Sequence, residues 1–69
     1  MNYYETIPYN RIQRLRETKG WSQKELGQKL NVKQTTVSAW ETRKNQPNYK
    51  TIRAMAKLFE VTTDYLMGY

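Results

Sequence analysis

Sixty-nine residues carry twelve Lys and Arg against six Asp and Glu, a formal charge of +6, with a pI near 9.8. Cysteine and histidine do not occur, which excludes a disulfide framework, a zinc site of the usual nitrogen and sulfur ligands, and any His-based acid/base or nucleophilic constellation. The surplus of cations favours polyanionic partners, nucleic acid above all. No apolar run approaches the ~18 residues of a membrane span and the N-terminus lacks the order of a signal peptide, so a cytoplasmic location is expected.

The length suits one domain that buries only ~60% of its unfolded surface, held by packing, caps and a partner subunit. Residues 1–8 read as an N-terminal arm bearing Tyr3 and Tyr4, and 9–69 as the domain. Pro8 suits a first helical position, and Ile12, Leu15, Arg16 and Lys19 share one helical stripe before Gly20 ends it. Ser22-Gln23-Lys24-Glu25 is a capping box for a second helix with Leu26 and Leu30 inward. Asn31 tolerates the left-handed backbone that a helix end requires, and Val32 plugs the turn. A third helix follows over about 34–41, with Val37, Trp40 and Glu41 on its inner face.

Arg43 to Pro47 is a polar loop, and Asn48 caps a fourth helix whose Ile52, Met55, Ala56 and Phe59 give an i, i+3, i+4, i+7 stripe. Thr62 or Thr63 caps a short fifth helix, with Asp64 at its positive end, Leu66 inward and Gly68 closing it. There is no alternating β-branched run, so the expected fold class is all-α: a compact five-helix bundle containing a helix-turn-helix.

In these residues the chain resembles the phage repressor and Cro family of helix-turn-helix proteins, the lambda-repressor-like or XRE-type domains. The resemblance covers roughly Ile12 to Gly68. It is carried by Arg16, by Ser22-Gln23-x-Glu25-Leu26-Gly27, by Leu30-Asn31-Val32, by Val37-Ser38-x-Trp40-Glu41 and by Pro47. It continues through Ile52, Ala56, Val61, Asp64 and Leu66-Met67-Gly68. Four positions depart from the pattern. Gly27 replaces the more usual alanine, leaving room for helix three. Asn31 replaces the turn glycine. Lys33 replaces a Ser or Thr cap on helix three, and Arg43 replaces the glycine after it, where the helix end is expected to be shaped differently.

On a wheel centred on Val37, residues Thr35, Ala39 and Thr42 project to the opposite side, flanked by Gln34 and Ser38. Short side chains let a helix sit deep in a groove about 12 Å wide, where Gln pairs with adenine and Ala39 or a Thr methyl touches thymine. The resemblance implies base contacts at Gln34, Thr35, Ser38 and Ala39. Lys33, where the chain departs from the family, is a cation within reach of guanine or a phosphate. The same short side chains also suit an ordinary solvated helix face.

Gln23 stands at a helix start, where free N–H groups favour a phosphate, and the resemblance implies the same contact. Thr36, Arg43, Lys44, Asn45 and Lys50 would flank the groove edge and contact the backbone; such contacts position rather than specify. Arg16 and Glu41 each lie on the apolar stripe of their own helix, and the simplest solution is that they pair. The resemblance implies this structural ion pair too.

Trp40 reads as core, and Trp21 as a cover for the end of helix one. Tyr65, with Leu58 and Met67, is either surface packing or a dimer contact, since its place in the fifth helix resembles where family members meet. No cofactor, metal or small-molecule ligand is indicated. The leading expectation is a sequence-specific double-stranded DNA-binding regulator, a repressor that binds an inverted repeat as a homodimer. The alternative is an antitoxin-type interaction module that binds DNA only for autoregulation. No acid/base pair or phosphate loop is recognisable, so an enzyme is not expected.

Overall fold

A computed structural model describes residues 11–67, in which five α-helices and no strand occur: α1 Arg11–Thr18, α2 Gln23–Leu30, α3 Gln34–Glu41, α4 Tyr49–Phe59 and α5 Thr63–Met67. The arm, the helix start expected at Pro8 and the stop at Gly68 lie outside these residues. Three helix starts are capped by short polar side chains. The Ser22 hydroxyl accepts from Glu25 N at 3.0 Å while the Glu25 carboxylate accepts from Ser22 N at 2.7 Å. Asn48 Oδ1 accepts from Thr51 N at 2.8 Å and Thr62 Oγ1 from Tyr65 N at 3.0 Å. Each cap satisfies an N–H that the helix ladder leaves open.

The first four helices end in one motif. A residue with positive φ reverses the chain, its N–H bonds three residues back, and the next N–H bonds five residues back. Gly20, Asn31, Arg43 and Glu60 hold that position, with φ of 77°, 61°, 65° and 60°. The longer bonds run from Trp21 N to Arg16 O, Val32 N to Gly27 O, Lys44 N to Ala39 O and Val61 N to Ala56 O, at 2.8–3.1 Å. Arg43 therefore gives α3 the same left-handed end as the others, not the different shape expected where glycine is replaced. Lys19, expected on the inner stripe of α1, is exposed because the helix has stopped at Thr18 and the chain is already turning at Gly20.

At three of these ends the residue after the turn is apolar. Trp21, Val32 and Val61 all pack against the core. After α3 that residue is Lys44, exposed. Ile12, Leu26, Val37, Trp40, Ile52, Met55, Ala56, Phe59 and Leu66 form the core, and Leu26, Val37 and Met55 have no exposed surface. Burying a side chain of that size contributes about 1.5–3 kcal/mol. Trp21 covers one end, its ring 5.8 Å from that of Phe59, with the Lys29 ammonium 4.6 Å from the Trp21 ring centre.

α2 packs more closely on α3 than on any other element. Gly27 makes this possible: a Cβ there would stand 2.7 Å from Val32 O. It is the backbone of the turn, rather than a side chain of α3, that occupies the space.

Candidate nucleic-acid interface

With Val37, Trp40 and Glu41 buried, α3 can present only its other side. Gln34 and Thr35 are exposed there, and Thr36, Ser38 and Ala39 are half-buried. The Thr42 hydroxyl turns back onto the helix, donating to Ser38 O at 3.0 Å. Lys33 occupies the N-cap position but makes no side-chain cap bond, so the start of α3 keeps open N–H groups beside an exposed ammonium. Arg43, Lys44, Asn45 and Lys50 are exposed beyond the other end. The only carboxylate on α3 is Glu41, which is buried. The helix thus offers hydroxyls, a methyl and an amide, bracketed by cations.

Glu41 is held from two sides. Arg16 Nε donates to its Oε2 at 2.7 Å and Arg16 Nη2 to its Oε1 at 3.2 Å. Arg16 Nη1 donates to Trp21 O at 2.7 Å, so one guanidinium joins α1, the α1–α2 turn and α3. The hydrogen bond to Glu41 raises the Arg16 pKa, burial opposes the rise, and the charges of Glu41 and Glu17 add to it. The second side was not visible in the sequence. Gln23 Nε2 donates to Glu41 Oε1 at 2.9 Å, and Gln34 Nε2 donates to Gln23 Oε1 at 3.5 Å. Gln23, expected at a phosphate, is half-buried and links the buried ion pair to the first residue of α3.

The residues expected at a dimer surface do not share one environment. Leu58 is half-buried against the core, while Met67 and Tyr65 are 43% and 40% exposed. The Tyr65 ring lies 4.1 Å beneath the Arg11 guanidinium, and Arg11 Nη1 donates to Tyr65 O at 3.0 Å. This clasp of α1 to α5 joins residues 54 apart, and no local pattern signals it.

Two short helices crossing over a tight turn, the second with a small polar outer face and basic flanks, define a helix-turn-helix DNA-binding domain. The model of one family, described as helix-turn-helix, matches residues 12–66, and the chain belongs to that family, a non-enzymatic DNA-binding class. It is 37% identical over 58 residues to the HTH-type transcriptional activator BcrR of Enterococcus faecalis, covering 84% of this chain and 28% of that protein. It is 34% identical over 58 residues to the HTH-type transcriptional regulator ImmR of Bacillus subtilis (strain 168), covering 84% of this chain and 46% of that protein. The chain thus spans less than half the length of either relative. A crystal structure of a transcriptional regulator from Listeria innocua superposes with a TM-score of 0.79 at 24% identity, over 91% of this chain and 62% of that one. That likeness speaks for the fold alone. No helix among the described residues is long and apolar enough to cross a membrane.

Proposed function

We propose that the chain is the DNA-reading unit of a transcriptional regulator that binds an inverted-repeat operator as a homodimer and represses by occluding a promoter. Lys33, Gln34, Thr35, Ser38 and Ala39 meet base edges in the major groove. Thr36, Arg43, Lys44, Asn45 and Lys50 contact the backbone, and Gln23 stands next to it. Tyr65, Leu58 and Met67 lie toward the second subunit, and the bacterial relatives support a cytoplasmic site of action.

One observation carries the reading: the outward side of α3 is small and polar, its single carboxylate is buried, and exposed cations stand at both ends. An ordinary solvated helix face mixes charges of both signs; a face for a groove between two phosphate rails excludes anions.

Selection of bound duplexes from a random pool tests this. The expected product is an inverted repeat whose half-sites lie about one helical turn (~34 Å) apart. Log affinity should fall with log salt by about 0.9 per phosphate contacted. Equal affinity for every duplex, or an affinity indifferent to salt, would sink the reading. A promoter–reporter fusion decides the sign of regulation, with repression expected, and sedimentation on the selected duplex counts the subunits.

A further inference from the structure

The three charged residues of α4, Lys50, Arg53 and Lys57, are all cations and all exposed. Helical phase sets them on one stripe, about 10 Å long, opposite the buried Ile52, Met55, Ala56 and Phe59. Among the described residues neither Lys50 nor Lys57 pairs with an acid, and Glu60, just past the helix, pairs with no cation. Like charges three and four apart weaken a helix, and Lys50 in the first turn meets its positive end. Solvation alone gives no reason to gather cations there.

The stripe also has a shape. Tyr49, 64% exposed, and Ala54 join the three cations around a groove of about 340 Å³. The Arg53 guanidinium lies 5.8 Å from the Tyr49 ring centre, which steadies the ring at the groove wall. Ala54 is exposed at the middle of the stripe, where its short side chain lets a second backbone come close. Tyrosine and arginine are the residues that anchor protein partners. A phosphate rail needs neither an aromatic wall nor an alanine floor.

We propose that this stripe docks an acidic amphipathic helix of a second protein while α3 holds DNA. Carboxylates at i, i+3 or i+4, and i+7 of a helix laid along α4 repeat at the interval of Lys50, Arg53 and Lys57. Ala54 allows the close crossing, and one apolar side chain between the carboxylates fills the groove against Tyr49. α4 packs on α5 and α2 more than on α3, so the two outward faces can be occupied together. Exposed ion pairs are weak one by one. The contact is therefore transient, and it gains strength when both proteins are held at one promoter. It does not depend on which bases α3 reads.

The probe is a labelled helical peptide with glutamates at that spacing and a leucine between them. Its anisotropy is read against the free protein and against the protein saturated with its selected operator. Both should bind within about threefold of each other at ~0.15 M salt, where exposed charges beyond ~8 Å are largely screened. A peptide with glutamine in place of each glutamate should bind about tenfold or more weakly. Arg53→Glu with Lys57→Glu should cut peptide affinity by about the same factor and leave operator affinity within about twofold. Tyr49→Ser should weaken the peptide by about threefold or more.

No binding by the parent protein, equal binding of the two peptides, or displacement of the peptide by operator overturns the proposal. So does a loss of operator affinity in the double charge reversal with a fall of about two in the salt slope. That result gives the stripe to the DNA backbone and leaves the reading of α3 standing. A parent protein that binds the peptide but no operator overturns the reading of α3 and leaves the stripe standing. If the double variant does not fold, Tyr49→Ser and the pair of peptides decide.

Discussion

Arg16 of α1 and Glu41 at the end of α3 meet through two hydrogen bonds, with side chains only 12% and 3% exposed. A pair so far from water is no large source of net stability, because desolvation offsets most of its attraction. Removing one partner is another matter, since the survivor keeps its burial without its counter-charge. Arg16→Met is expected to cost about 3–5 kcal/mol in urea unfolding, much of the total for a domain this small. Arg16→Met with Glu41→Leu should recover a good part of that. A single variant within about 0.5 kcal/mol of the parent would mean that the pair is open in solution. The Arg16 pKa is raised by folding, chiefly by the hydrogen bond to Glu41, so its contribution is whole at neutral pH. It is lost only as pH climbs through the folded-state value, deep in the alkaline range.

Gly27→Ala places a methyl 2.7 Å from Val32 O. Alanine is the better helix former by about 1 kcal/mol, which pulls the other way. The obstacle is backbone that is itself tied down, since Val32 N bonds Gly27 O at 2.8 Å. A net loss of about 1–2 kcal/mol is expected, with the overpacking term dominant. Thermal unfolding reads it, and a gain in stability would show that the turn moves aside.

Glu60 and Arg43 hold the same left-handed backbone, a conformation that costs a side-chain-bearing residue roughly 1–2 kcal/mol. Glycine at either place should therefore raise stability by about 1 kcal/mol. Their effects on DNA should part. Glu60→Gly leaves operator affinity alone, whereas Arg43→Gly weakens it and reduces the salt slope by about one. Equal behaviour in a salt titration would remove Arg43 from the phosphate contacts.

Lys33 is an N-cap residue that caps nothing. Lys33→Thr supplies the missing acceptor and should stabilise the domain by about 0.5–1 kcal/mol. The same change withdraws a cation from the groove, so affinity should drop although the fold is firmer. Tighter operator binding by Lys33→Thr would show that the order of α3, not the charge at its start, limits recognition.

The helices and their ends were legible because their causes are local. Ser22 and Glu25 are three apart, Asn48 lies three before Thr51, and the stripe from Ile52 to Phe59 follows the helical repeat. Glu60 is an exception. Glutamate carries no left-handed preference, and only the backbone around it shows that it turns the chain. Burial by helical phase was equally readable. Val37, Trp40 and Glu41 are inside, and two charged residues on apolar stripes had one inexpensive solution, each other.

Other features depend on how separate elements come to rest. Nothing in the spacing of Gln23 discloses that its amide lies between Glu41 and Gln34, since a surface glutamine after an N-cap has many possible neighbours. The clasp of Arg11 on Tyr65 and the carbonyl of Val32 over Gly27 are of the same kind. Residue order encodes caps, phases and charge because these act within a turn or two of chain. The partners of a long polar side chain follow from distances between helices, and those are settled only when the whole core closes.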